Sequence, residues 1–254
     1  MSQAELAQRF HALHVPGTPL VLFNAWDVGS ARAVADAGAK AIATGSWSVA
    51  AAHGFEDGER MPLELALANL RRIVEALPLP VTVDLESGYG GAPGVVADTV
   101  AAALEAGAIG CNLEDSFPAD GTLRPMDAHV ARLTAARKVA DKAGIPFFIN
   151  ARTDVFFQKP AAAHDTAMAD AALERARAYA DAGASGLFVP GLVDAALIAR
   201  IVEASPLPVN VMASAAAPER KRLAELGVAR ISHGPGPYRE AMQWLTQAAL
   251  AAMG

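Results

Sequence analysis

Four times along the chain, an alanine-rich stretch with apolar residues at helical spacing ends in an acid, an apolar residue, glycine and a small residue. The pattern then becomes continuously apolar. The four instances are Asp36-Ala37-Gly38-Ala39, Glu105-Ala106-Gly107-Ala108, Asp181-Ala182-Gly183-Ala184 and Glu225-Leu226-Gly227-Val228. Glycine tolerates the left-handed conformation that ends a helix, so each instance predicts a helix C-terminus feeding a strand. Three further strand entrances carry proline, at Leu79-Pro80-Val81, Ile145-Pro146-Phe147 and Leu207-Pro208-Val209. Proline is tolerated as the first residue of a strand and not in the middle of a sheet.

Eight short apolar runs follow from these entrances, at about 19–24, 40–45, 80–86, 109–114, 146–152, 185–190, 207–212 and 229–233. Runs that are continuous rather than alternating suit parallel strands covered by helices. The segments between them are mostly rich in Ala, Leu, Glu and Arg, and an eighth helix is predicted at about 237–252. Eight β-α units predict a (β/α)8 barrel, with a doubly wound parallel sheet as the competing arrangement. No linker or low-complexity stretch divides the chain, so 1–254 is expected to be a single domain.

Composition narrows the function. Hydrophobic residues make up 53% of the 254 residues, and a chain of this length needs no covalent staple to hold a core. The one cysteine, Cys111, excludes a disulfide framework and a multi-cysteine zinc site. The net charge of −6, from 21 cations against 27 anions, argues against nucleic acid and anionic membrane surfaces as partners. No apolar run reaches the ~18 residues of a membrane span, and the first residues lack a basic-then-apolar leader. The expected setting is the cytoplasm.

In a barrel, chemistry gathers where strands end. The third run ends Asp84-Leu85-Glu86, the fourth Asn112-Leu113-Glu114-Asp115, and the fifth Asn150-Ala151-Arg152-Thr153-Asp154. Residues two apart on a strand face the same side, so Asp84 and Glu86 are expected to share a site, with Glu114 joining from the next strand. Converging carboxylates need either raised pKa values or a cation. An all-oxygen set without His or Cys selects Mg2+ or Mn2+ over zinc. The bland alternative is a group of solvated carboxylates at strand ends.

Arg152 can clamp a substrate carboxylate through two parallel hydrogen bonds, or simply pair with Asp84 or Glu114. Metal plus arginine predicts a small anionic carboxylate substrate. Gly88–Gly94 reads as a flexible loop over the site, and His233-Gly234-Pro235-Gly236 is a weak candidate for phosphate binding. His53 lies in a loop where it could touch substrate. None of the five lysines ends a strand as a Schiff-base aldolase requires, and no Gly-x-Ser-x-Gly elbow is present. Cys111 reads as a buried small apolar residue.

Several segments together resemble the isocitrate lyase/phosphoenolpyruvate mutase superfamily. They are Asn24-Ala25-Trp26-Asp27, Thr44-Gly45-Ser46-Trp47-Ser48, Asp57-Gly58-Glu59, Val83-Asp84-Leu85-Glu86-Ser87-Gly88-Tyr89-Gly90, Asn112-Leu113-Glu114-Asp115 and Ala151-Arg152-Thr153-Asp154. The resemblance runs from about residue 18 to 235. It implies a barrel that binds Mg2+ and an α-oxo acid or its enolate. Asp84 would be the direct metal ligand, with Glu86, Glu114 and Asp57 holding the ion mainly through waters. Backbone amides around Gly45, Ser46 and Trp47 would receive a carboxylate or oxyanion, and Arg152 would clamp the other end.

The departures bear on the reaction. Lyases of the family carry a Lys-x-Cys-Gly-His-type loop after the fourth strand, and the mutases have a lysine and an asparagine there. This chain reads Ser116-Phe117-Pro118-Ala119-Asp120-Gly121-Thr122-Leu123-Arg124, several residues shorter and without Cys, Lys or His. After the sixth strand, where mutases place His and lyases Glu, it has Pro190.

The expectation is therefore an Mg2+-dependent lyase or decarboxylase that cleaves a C–C bond next to an α-oxo or 2-hydroxy carboxylate through an enolate-like intermediate. The alternatives are a P–C phosphonomutase or hydrolase of the same family, or a non-catalytic oxo-acid binder. Arg152, Asp57 and Asp115 are the expected catalytic residues, and Tyr89 an expected substrate contact. Asp115, Asp120, Tyr89 and His53 are the candidate proton carriers. The resemblance also implies a homo-dimer or homo-tetramer, which the family builds by swapping a C-terminal helix.

Overall fold

A computed structural model describes residues 1–254. Its eight strands are β1 (Leu20–Leu22), β2 (Ile42–Ala43), β3 (Val81–Asp84), β4 (Gly110–Glu114), β5 (Phe148–Arg152), β6 (Gly186–Phe188), β7 (Val209–Met212) and β8 (Arg230–Ser232). Every ladder is parallel, and the order is β1-β8-β7-β6-β5-β4-β3-β2. The remaining seam closes through a parallel bridge between Ala25 and Thr44, where the Ala25 N–H donates to the Ala43 carbonyl at 2.8 Å. That closure makes a (β/α)8 barrel and removes the doubly wound alternative, which has two open edges. Each strand lies within the run expected for it.

The helices are α1 (Gln3–Ala12), α2 (Val28–Asp36), α3 (Ser46–Ala52), α4 (Leu63–Ala76), α5 (Pro93–Glu105), α6 (Met126–Lys142), α7 (Thr166–Asp181), α8 (Ala195–Ala204), α9 (Arg220–Glu225) and α10 (Gly236–Met253). Gly107 and Gly183, past the ends of α5 and α7, have φ of +93° and +92°, the left-handed turn expected of them. No helix is long and apolar enough to cross a membrane.

Two apolar clusters fill the layer between barrel and helices, one beneath α4–α6 and one beneath α7–α9. A third, smaller cluster plugs the N-terminal end of the barrel, where Phe10 of α1 meets Phe148 edge-on at 5.3 Å. Inside the barrel is a polar layer: Asn150 donates to Asn112 Oδ1 at 2.9 Å, and Arg230 donates to Asn112 Oδ1 at 3.3 Å and Ser232 Oγ at 3.1 Å. The register then sets the site, pairing Asp84 with Asn112 and Glu114 with Arg152.

The eighth helix forms as expected but does not cover the barrel. Pro237 is the only buried residue of α10, whereas Trp244 is 70% exposed and Leu250 61%. A groove of about 1520 Å3 between α2 and α9, lined by Val21, Phe23 and Val34 among others, stands open beside β1.

Candidate active site

The C-terminal ends of the strands open onto a cleft of about 710 Å3 whose lining includes Asn24, Gly45, Ser46, Trp47, Asp57, Asp84 and Arg152. Asp84 is the last residue of β3. Its Oδ2 accepts from the Ser46 N–H at 3.2 Å, and its Oδ1 from the Glu86 N–H at 3.3 Å. Its own N–H donates to Thr44 Oγ1 at 3.1 Å, which ties the end of β3 to that of β2.

Glu86 and Tyr89 meet Asp84 and Ser46 in a smaller recess beside the cleft. Strand alternation is not what brings Glu86 there. The strand has ended, and Glu86 turns with φ +52°, in the left-handed region that a non-glycine residue adopts only when its surroundings hold it. What holds it is a reciprocal clamp. Glu86 Oε2 accepts from the Gly58 and Glu59 N–H groups at 2.8 and 2.6 Å. Glu59 Oε1 in turn accepts from Ser87 Oγ at 2.6 Å and the Tyr89 N–H at 2.8 Å. Glu59, to which the sequence assigned no role, therefore locks the 57–59 and 87–89 turns to each other.

Charge around Asp84 is unbalanced. Burial raises the Glu86 carboxyl to about 7, with Asp57 and Asp84 adding to the rise. Desolvation, then Asp84, also raises Asp57. Tyr89 stays protonated, its pKa raised by burial and by Glu86, and its hydroxyl donates to Glu86 Oε1 at 3.4 Å. As the side chains stand, no three His, Cys, Asp or Glu residues surround one point closely enough to hold an ion by themselves.

Arg152 is the one cation lining the cleft, and it is already engaged. It pairs with Glu114 Oε2 at 2.7 Å, and donates to Asp154 Oδ1 at 2.6 Å and Oδ2 at 2.9 Å. Burial opposes its charge, but Glu114 and Asp154 outweigh that and keep it protonated. Burial also pushes the Glu114 carboxyl up, against the pull of Arg152. Glu114 is thus Arg152's partner. The two-point clamp on a carboxylate exists, but in this structure the carboxylate is Asp154, and its place two residues after Arg152 was the signal for it.

Asp115 does not reach the cleft. Glu114 faces inward on β4, so its neighbour faces the helices. There Asp115, fully buried, accepts from Tyr179 Oη at 2.7 Å, Arg175 Nη1 at 3.0 Å and the Asp154 N–H at 2.9 Å. Asp120 is an exposed turn residue that accepts from Thr122, and His53 ends α3 with Nδ1 on the Val49 carbonyl at 2.8 Å. The phosphate hint after β8 fails for a local reason: the N–H groups of His233 and Gly234 both donate to Asn24 Oδ1, at 3.0 and 2.9 Å. Cys111 is fully buried, which pushes its thiol up to about 12.

Comparison with known proteins places the chain among relatives. The family model described as phosphoenolpyruvate phosphomutase matches residues 10–253. A crystal structure from Burkholderia cenocepacia J2315, provisionally described as a phosphonomutase, is 60% identical, covers both chains completely and superposes with a TM-score of 0.95. An uncharacterized protein of Mycobacterium tuberculosis is 39% identical over 95% of this chain and 88% of its own length. The 2-methylisocitrate lyase of Salmonella typhimurium is 32% identical over 82% of this chain and 70% of its own.

Proposed function

Because this chain belongs to the phosphoenolpyruvate mutase/isocitrate lyase family, we propose that it is a divalent-metal-dependent lyase or decarboxylase. It would break a C–C bond beside an α-oxo or 2-hydroxy carboxylate and leave an enolate. One observation carries the proposal: Asp84, Asp57 and Glu86 crowd one corner of the cleft next to the Ser46 amide, without a cation of their own.

The donor set suits Mg2+ or Mn2+. All its atoms are oxygens, and Mg2+ characteristically takes one or two carboxylates and keeps several waters. Asp84 would hold the ion directly, and Asp57, Glu86 and Glu114 through water. A bound divalent cation supplies Lewis-acid stabilisation of the charge that develops on the oxo oxygen.

The chain's own groups do the rest. At the start of α3 the Ser46 N–H already serves Asp84, so the Trp47 amide would receive the carboxylate as a preorganised donor. Arg152 keeps two of its five N–H groups after serving Glu114 and Asp154, enough to contact the acid without leaving its partners. Asp57 is the carboxyl lining the cleft that could carry a proton. Decarboxylation asks least of such a site, since it needs no residue to deprotonate a hydroxyl.

Release of pyruvate is the test. Oxaloacetate, phosphonopyruvate and 2-methylisocitrate are each incubated with enzyme and Mg2+, with Asp84→Ala as control. The expected result is turnover of at least one acid, falling about 100-fold or more in the variant. Turnover of phosphonopyruvate alone, with phosphate release, would favour P–C chemistry, a reading supported by the 60% identical relative. Oxalate binding without any turnover would make the protein an oxo-acid binder.

The proposal extends to assembly as a homo-dimer or homo-tetramer in which α10 crosses to a neighbouring copy. Its apolar face and the open groove beside β1 support that arrangement.

A further inference from the structure

Grouped by strand, the lining of the cleft divides into two halves. Asn24, Ser46, Asp57 and Asp84 come from the β1–β3 side. Phe157, Phe188, Pro190 and Met212 come from the segments that end β5, β6 and β7. In the closed ring β6 stands four strands from β2 in either direction, so the two halves face each other across the mouth.

The one cationic side chain of the second half is Arg152, the last residue of β5. Its charge is taken by Glu114 and Asp154. Phe157 is half exposed, with nothing of the chain covering it, yet its seat is fixed. A Cβ on Gly191, whose φ is +82°, would stand 2.8 Å from the Phe157 ring, so the ring rests where only glycine leaves room. The Arg152 guanidinium lies over the ring, 5.6 Å from its centroid. An exposed aromatic side chain held in this way is a prepared apolar contact surface rather than a stray one.

We propose that the acid accepted by this cleft carries an uncharged, apolar substituent beyond its oxo or hydroxy carboxylate head, and that Phe157, Phe188, Pro190 and Met212 select it. The inference rests on the oxo-acid reading above and names the substrate class of the same site. With the head at the β2–β3 corner, the rest of the molecule must point toward β6 and β7. A further carboxylate there would lose its water and meet only Arg152, whose charge Glu114 and Asp154 already balance, whereas an alkyl or aryl group would meet Phe157, Phe188, Pro190 and Met212. The cleft of about 710 Å3 leaves room for such a group beyond a two- or three-carbon head.

The test uses two oxamates with the same chelating head and nearly isosteric tails: N-isobutyl oxamate, apolar, and N-oxalylglycine, with a carboxylate. Each is titrated calorimetrically into the Mg2+-loaded protein, with oxalate as the tailless control. The expected result is Mg2+-dependent binding of oxalate and a preference of about tenfold or more for the isobutyl compound. Phe157→Arg, at a half-exposed position, and Met212→Lys, on another strand, should each shift that ratio about tenfold or more toward N-oxalylglycine. Oxalate binding with equal affinity for the two tails, or preference for the charged one, overturns this inference and leaves the oxo-acid reading standing. So does a wild-type preference that neither variant moves. Failure of oxalate to bind at all removes both.

Discussion

At the scale of single residues, direction decides role. Asp84 and Asp115 are both acids at strand ends, yet one faces the cleft and the other is buried against α7 between Tyr179 and Arg175. The second is a structural charge, and Asp115→Asn should show it. The change leaves Arg175 without its carboxylate, and breaking a buried pair costs about 3–5 kcal/mol. Urea unfolding should record a loss of that order. The residual folded enzyme should keep its dependence on pH, which a lost proton carrier would not allow. Glu59 and Asp154 teach the converse. Neither drew attention as a bare residue type, since a carboxylate that organises turns or an arginine looks the same in sequence as a solvated one.

At the scale of elements, the helix-to-strand junctions were the most legible feature, because glycine's tolerance of positive φ is a property of the residue itself. The junctions are not equivalent, however. Gly38 has open space where a Cβ would go, while a Cβ at Gly107 would stand 2.6 Å from Val74 Cγ1. Gly38→Ala should therefore cost only the left-handed strain, about 1–2 kcal/mol. Gly107→Ala should add about 1–3 kcal/mol of overpacking. Thermal unfolding of the two variants side by side measures the difference, and equal losses would count against this packing. The shortened segment after β4 illustrates what elements hide: its length and lack of Cys, Lys and His are plain, but that Ser116 lies 2.8 Å from Asp154 is not.

At the scale of the whole molecule, α10 and the groove beside β1 are the unfinished part of the barrel. If α10 of one copy covers the groove of another, Trp244→Asp should lower the assembly state seen by light scattering from dimer or tetramer toward monomer. An unchanged mass would show that Trp244 lies outside any interface. The partner's helix would bury Val21 and Phe23, which helices cover elsewhere around the ring, so the monomeric variant should also be less stable.

The sequence by itself determined the eight-unit barrel, its strand order of appearance and the level at which Asp84, Glu114 and Arg152 emerge. Periodicity, glycine and proline act locally, and a parallel barrel translates position along each strand into height. Tertiary structure alone decided that Glu59 locks together the turns around Glu86, and that Phe157, Phe188, Pro190 and Met212 stand across the mouth from Asp84. Those are relations between strands brought together by closure of the ring, and no spacing along one chain encodes the distance across it.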